Sequence, residues 1–429
     1  MKSCPPTLLV VLALALGVQP ACQRAVNVRL AAPADWVPSE REAPRHDCSN
    51  TEYYVPDTAH LGFWPEKVVR VNLHVVDRER DPVSADSADI GRLGDLVRSA
   101  SDKLATRIPL TLPADDPPPA LPRQMRYHLT WDPARGPNDH GIYFHADDEV
   151  PFHYHSGRRR NLGDDTAFRR YGYRADTILN VFLLSVDPDS ARSKTYRASD
   201  GGVAIGGRYI KLVGNWRDFD NPPGARINLA HEVSHIYSLN HAWLRNDGCD
   251  DTPAHGNRCW NYNEPPGCTE VTNNLMDYSA LASALTPCQI GRMHAVMARE
   301  GTQQRKFLQP NWCRGREGGD VDLRDSFVLR HAADLEGDLT LWPGAYLEVR
   351  CRLSLPAGAR LRVLPGATLV LAGGKLHNSC GYTWDGVEVI TRGRRRGELR
   401  YTAGSAIENV APGRGLPAAA ATPPTPSGR

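Results

Sequence analysis

The pattern of apolar and polar positions divides the chain into regions of different texture. Val68 to Val76 (VVRVNLHVV) alternates and is β-branched, which predicts a strand. Ile90 to Leu104 places apolar residues at helical spacing, with Asp and Ser near its start, and predicts a helix. Arg126 to Trp131 and Gly141 to His145 read as short strands, and Thr177 to Leu184 (TILNVFLL) as a buried one. Gly201 to Trp216 is strand-like but broken by glycine, which suits the edge of a sheet. Pro222-Pro223-Gly224 interrupts the chain ahead of a helix over 225–239, and residues 245–285, rich in Cys, Asn, Gly and Pro, read as loop. Thr286-Pro287 opens a last helix through Arg299, with proline in the first turn, where its missing N–H does no harm.

Beyond Cys313 the period changes to two. Short alternating strands recur over 326–400, and a Pro-Gly or Pro-Ala-Gly turn at Pro343, Pro356 and Pro365 precedes each new run. Turns at short regular intervals between such strands predict a stacked β-solenoid or a small β-sandwich. The expected fold class is α+β: a domain with a twisted mixed sheet and helices, then a small all-β, solenoid-like region. The expected divisions are a signal peptide at 1–22, a propeptide-like leader at 23–60, a catalytic domain at 61–312, a β-rich domain at 313–410 and a Pro/Ala-rich disordered tail at 411–429.

Composition narrows this little. The 429 residues are 41% hydrophobic and 23% charged, with a formal net charge of +2, so the overall balance points to neither nucleic acid nor an anionic membrane. Lys2 followed by the apolar run Thr7–Val18 has the form of an export signal and is too short to span a bilayer; no later stretch is apolar enough for a transmembrane helix. Export implies a secreted location. Cleavage after Ala21 is one expectation and a lipid anchor at Cys22 the other. Eight of the ten cysteines lie beyond residue 22, an even number that in an exported chain argues for disulfides.

The chemistry is concentrated at 231–241, HEVSHIYSLNH. On a helix, His231 and His235 face the same way and can hold one ion. Catalytic zinc takes three protein ligands and keeps a fourth place for water, and His241 supplies the third after a turn in the chain. Glu232 stands beside the first ligand as the expected general base. Asn274-Leu275-Met276-Asp277-Tyr278 is the candidate for a methionine turn beneath the site, centred on Met276. The reading is a zinc endopeptidase acting on protein or peptide substrates. The alternative is a zinc-binding pseudoenzyme or adhesin whose β-rich region binds a surface.

HEVSHIYSLNHAW, then Cys249-Asp250-Asp251-Thr252-Pro253, then NNLMDYS, followed by a cysteine and GRM, resembles the pappalysin (cytophagalysin-like) family of metzincins over residues 65–300. The resemblance implies a zincin-like catalytic domain with an active-site helix. It also implies a role for Tyr278 in stabilising the tetrahedral intermediate and an edge strand at 202–213 that binds substrate backbone. It further implies calcium (Ca2+) at Asp250, Asp251 and Thr252, and the interleaved disulfides Cys249–Cys268 and Cys259–Cys288. Cys351–Cys380 is expected within the β region. Cys48, in the leader, is either an inhibitory fourth zinc ligand or the partner of Cys313. Three features depart from the family, one being Ser49 after Cys48, where family propeptides tend to have Cys-Gly. Ser238 stands where its pattern has glycine, and the segment 279–287 (SALASALTP) offers Ala280, Leu281, Ala282 and Leu285 with no carboxylate, which implies cleavage before apolar rather than basic residues.

Overall fold

The computed structural model describes residues 26–29 and 47–413, except 79–86, 106, 113–114, 123–124, 131, 137–138, 151, 155–159, 162, 187–200, 214–222 and 245. The segment expected as a signal peptide, Cys22 and most of the expected tail lie outside the described residues.

Strand β1 (Val26–Arg29) is set apart from the first domain and belongs to the second. The first domain is built on β2 (Lys67–Asp77), whose inward residues Val69, Val71, Leu73 and Val75 are all fully buried. Helix α1 (Ser87–Ala105) covers that face with Leu93, Leu96, Val97 and Ala100. The strands β3 (Met125–Leu129), β4 (Ile142–Ala146), β5 (Phe152–His153), β6 (Leu179–Val186), β7 (Gly202–Ile205) and β8 (Tyr209–Val213) complete a mixed sheet of order β3-β2-β6-β8-β7. β4 also pairs with β2, and β5 with β6. All pairs are parallel except β7–β8 at the edge. The glycine-broken stretch expected as one edge strand is therefore two. Gly206 and Gly207 turn the chain between them with φ of 56° and 65°, a region that favours residues without a Cβ.

On the far face of the sheet, α2 (Thr166–Tyr171) covers a smaller cluster around Phe182 and Tyr209. On the near face, α3 (Pro223–Ile236) packs beside α1 and sends Leu229, Ala230 and Val233 into the main core. α4 (Pro287–Ala298) follows the loop region. Thr286 accepts from the Gln289 N–H and Gln289 bonds back to the Thr286 N–H, a complete capping box. Two short helices, α5 (Gln303–Lys306) and α6 (Asn311–Arg314), lead into the second domain.

That domain is a three-faced solenoid. Its faces are the sheets β9-β12-β15-β18, β10-β13-β16-β21 and β11-β14-β17-β22, and every contact between successive coils is parallel. Here β9 to β14 are Val321–Leu323, Ser326–Leu329, Ala333–Asp334, Leu339–Leu341, Tyr346–Val349 and Arg352–Ser354. β15 to β18 are Arg360–Val363, Thr368–Leu371, Lys375–His377 and Gly386–Val389. β19 to β22 are Thr391–Arg392, Arg395–Arg396, Glu398–Tyr401 and Ala406–Val410. The period-two pattern becomes vertical columns: Phe327, Leu347, Leu369 and Leu399 stack in one, and Ala333, Leu353, Leu376 and Ile407 in another. The Pro-Gly signals fall at the corners, where Gly344, Gly358 and Gly366 take φ of 91°, 72° and 87°. β1 runs antiparallel to β22 and covers the last coil on that face, where exposed N–H and C=O groups would otherwise invite further pairing.

The two cores meet at a desolvated ion cluster. Asp334 on β11 receives both guanidinium nitrogens of Arg305 on α5, at 2.7 and 2.9 Å, and one of Arg352 on β14 at 2.6 Å. Its carboxyl is held well below the ordinary range by those two cations despite its burial. Arg305 also lies over the Trp312 ring, 4.3 Å from guanidinium carbon to centroid, and the Lys67 ammonium faces the same ring at 5.3 Å. Residues 51–64 complete the junction. Phe63 packs on Phe327 (4.7 Å) and Trp64 stacks on His331 (4.4 Å).

The disulfides differ from every expected pairing. They are Cys48–Cys351, Cys249–Cys288, Cys259–Cys268 and Cys313–Cys380. Cys249–Cys268 and Cys259–Cys288 are replaced by a nested pair. Residues 259–268 double back through the Asn261–Glu264 bridge, so those two cysteines meet each other, and the start of α4 docks on the Asp251 loop, bringing Cys288 to Cys249. Cys351–Cys380 is excluded because Cys380 faces α6, and Cys351 faces the leader. Cys48 is thus neither a free thiolate for the metal nor the partner of Cys313; it fastens the leader to the solenoid.

Peptide mapping without reductant is expected to recover these four cystines, and a linked Cys249–Cys268 peptide would overturn the nested scheme. Asp334→Ala leaves two buried guanidiniums without their acid and is expected to destabilise the protein by about 3–5 kcal/mol. A loss below about 1 kcal/mol in urea unfolding would show that the cluster is not what joins the domains.

Candidate metal centre

Helix α3 carries His231, Glu232 and His235, one turn apart on the side that faces the loop region. It stops at Ile236 in a Schellman turn. The Leu239 N–H bonds to the Ser234 carbonyl at 3.1 Å and the Ser238 N–H to that of His235 at 2.9 Å. Ser238 itself takes φ 68°, the left-handed conformation usual for glycine at this position. Its side chain is exposed, so the hydroxyl costs nothing by clash and only the backbone is strained.

The turn reverses the chain so that His241 comes back to the helix. His235 Nε2 lies 3.0 Å from His231 Nε2 and 3.2 Å from His241 Nε2. The outer nitrogens of two rings are tied to backbone carbonyls, His231 Nδ1 to Leu275 and His235 Nδ1 to Leu239, each at 2.7 Å. A carbonyl only accepts, so each Nδ1 carries the proton and each Nε2 presents its lone pair to the centre. Burial lowers the pKa of all three, His231 to about 3 and His241 to about 4, which keeps the imidazoles neutral. The His231 and His235 lone pairs, 3.0 Å apart, repel each other unless a cation stands between them, and His241 Nε2 converges on the same point. The donor set therefore fits a zinc-like ion with nitrogen ligands.

The ring of His241 is positioned differently. Trp243 stacks on it at 4.0 Å and 12°, and also touches Tyr278 at 4.4 Å. The half-exposed Tyr278 ring lies 5.0 Å from His241 and 6.0 Å from His231. Sequence reading passed over Trp243; its signal was an aromatic residue two places after the third histidine.

Beneath the histidines lies the turn at Met276, which is fully buried. Asn274 holds it: its Oδ1 accepts from the Met276 N–H at 2.8 Å, and its amide exchanges two bonds with Gln289. The same Gln289 closes the capping box of α4, so the helix start and the turn are fixed together. The Leu275 carbonyl that orients His231 belongs to this turn. Asp277, also buried, bonds His255 at 3.0 Å.

Glu232 is buried, and burial raises its pKa to about 8, with the Ala204 N–H favouring the charged form. A nearby divalent cation acts in the same direction as that N–H and returns the carboxyl toward ionisation. Ala204 is on β7, and strand and helix approach closely. A Cβ at Gly202 would meet Glu232 Cγ at 2.9 Å, and one at Gly201 would meet the Asn228 side chain at 1.9 Å. The two glycines are what allow the edge strand to lie against the carboxylate.

Of the expected calcium residues, Thr252 donates to Asp247, Asp251 accepts from the Cys288 N–H with one oxygen while its other oxygen is buried without a hydrogen-bond partner, and Asp250 is exposed. Cys249, Asp251 and Cys288 also lie close together, but the two sulfurs are bonded to each other. In the segment after the methionine turn, Leu285 belongs to the main core and Ala282 is fully buried, which leaves Ala280 and Leu281 partly exposed.

No protein-family model matches the chain, and no curated protein matches it. Among solved structures it is similar to Tannerella forsythia mature mirolysin in complex with a cleaved peptide, at 18% identity and a TM-score of 0.39, over 56% of this chain and 95% of that one. It is also similar to a mutant of Tannerella forsythia promirolysin, at 17% identity and 0.37, over 59% and 85%.

Ser238→Gly removes about 1 kcal/mol of left-handed strain and adds a similar entropy to the unfolded chain. Stability is expected to change little and zinc affinity, by chelator competition, to be equal or tighter. Ser238→Val, β-branched at the same exposed position, is expected to bind zinc more weakly. Weaker binding by Ser238→Gly would show that the hydroxyl is needed.

Proposed function

We propose that the protein is a zinc-dependent endopeptidase of the pappalysin-like kind, acting on proteins or peptides outside the cell, with His231, His235 and His241 as ligands and Glu232 as general base. The convergence of three Nε2 atoms, with the buried Glu232 next to the first in the chain, is the observation that carries this reading.

His231, His235 and His241 would hold a zinc ion, which when bound would supply a Lewis acid for the scissile carbonyl and lower the pKa of its water toward about 7. Glu232 takes a proton from the attacking water and hands it to the departing amine nitrogen. The Ala204 N–H keeps that carboxylate turned toward the cleft while it does so. Substrate backbone adds to the outer edge of β7, since Gly201, Val203 and Ile205 turn their backbone groups to β8 and leave outward the groups of Gly202 and the Ala204 carbonyl, the Ala204 N–H being held by Glu232. Tyr278 donates its hydroxyl to the oxygen on which negative charge develops. Ala280 and Leu281 leave the pocket beyond the cleaved bond without a carboxylate, which favours apolar residues there over Arg or Lys. The described residues contain no helix long and apolar enough to cross a membrane.

Glu232→Ala is expected to keep its zinc and lose roughly 10²–10⁴ in kcat/KM on a quenched peptide, because the carboxylate is a base and not a ligand. His241→Ala is expected to lose zinc, read by atomic absorption. A Glu232→Ala protein that turns over at the parent rate would overturn the mechanism.

A further inference from the structure

We propose that an arginine-bearing hairpin on the last solenoid coil docks the protein on an anionic lipid surface. In the two preceding coils the corner between these faces takes four residues, 342–345 and 364–367. In the last coil it takes eight, 390–397, and the extra length is the hairpin β19–β20. Its base is pinned. The Ile390 N–H bonds to the Val363 carbonyl and the Gly397 N–H to that of Ile390, both at 2.9 Å. Gly397 is buried so close to Val363 that a Cβ would come within 2.3 Å of its carbonyl oxygen. Everything from Thr391 to Arg396 is exposed.

The hairpin turns through Gly393 and Arg394. Gly393 has φ 61° and Arg394 is not in the left-handed region, the pattern of a II′ turn, which needs glycine first. The register places Arg392 directly opposite Arg395, and Thr391 opposite Arg396. Like charges facing each other across two strands oppose pairing. None of Arg392, Arg394, Arg395 and Arg396 has a carboxylate partner among the described residues, and the flanking Glu388 and Glu398 are paired with Arg362 and Arg400. The folded chain leaves this repulsion uncompensated, so the compensating anions come from outside.

The form of the hairpin selects among anions. Arg392 and Arg395 share one face, Arg396 lies on the other, and Arg394 is at the tip. A linear polyanion lying along one face reaches only part of the set, whereas a layer of phosphate headgroups surrounds a convex prong on every side. Guanidinium pairs with phosphate through two parallel bonds. With no apolar residue at the tip, attachment is electrostatic and reversible by salt. Each basic residue beside an anionic leaflet strengthens binding roughly fivefold.

The test is co-sedimentation of the purified full chain with vesicles of phosphatidylcholine, with and without phosphatidylglycerol. The protein is expected to partition onto the mixed vesicles, to be released by salt, and to ignore pure phosphatidylcholine. Replacing Arg392, Arg394, Arg395 and Arg396 with Gln is expected to lower partition at least tenfold, with peptidase turnover unchanged and Tm equal or higher as the repulsion is relieved. The single variant Arg394→Glu, at the exposed turn, is expected to shift partition the same way. Equal binding to both vesicle types, undiminished binding by the variants, or a fall in Tm on neutralisation would overturn the proposal. Retention on heparin or duplex DNA without vesicle binding would overturn it too.

Discussion

Imidazole lone pairs aimed at a common point repel, and much of the described chain between 223 and 289 brings three imidazoles to one point, two of them with their lone pairs fixed inward. Two rings are locked through their outer nitrogens, one by a carbonyl of the methionine turn and one by a carbonyl of the turn that ends α3. Each turn has its own support: Asn274 and Gln289 fix the first, and the left-handed Ser238 makes the second. The third ring lacks such a tie in the described contacts and rests instead on the face of Trp243. Each ring thus has a support of its own, the kind of second layer that keeps converging ligands in place.

The solenoid is bound as firmly as the sheet domain is built. Asp334 is buried with two guanidiniums, an arrangement tolerable because both carboxylate oxygens are bonded to them. The described end of the leader touches both sides of the same junction: Tyr54 packs on Ala295 and Ala298 of α4, and its hydroxyl accepts from the Ala332 N–H of the solenoid.

The sequence revealed most where local chemistry dictates geometry. HEVSHIYSLNH fixes helix, spacing and turn at once, and the alternation of β2 and of the solenoid strands needs no tertiary information. It revealed least where distant segments meet. Disulfide partners depend on which loops dock, and two nested loops are indistinguishable from two interleaved ones when only the order of cysteines is known. The leader's role depended on a partner cysteine some 300 residues away. Ser238 shows a middle case: its departure from glycine was visible, and the structure adds that the left-handed backbone is kept and the strain accepted. The net charge of +2 concealed the hairpin, because a sum over the chain cannot register where charges gather.

The Cys48–Cys351 bond closes the whole first domain and the start of the second into one covalent ring, since every residue from 49 to 350 lies between its ends. A single backbone cut anywhere in that ring leaves a nicked but still connected molecule, with the solenoid and the metal centre joined through the cystine. Fragmentation then requires a second cut or a reductant, so the topology itself confers tolerance of wear.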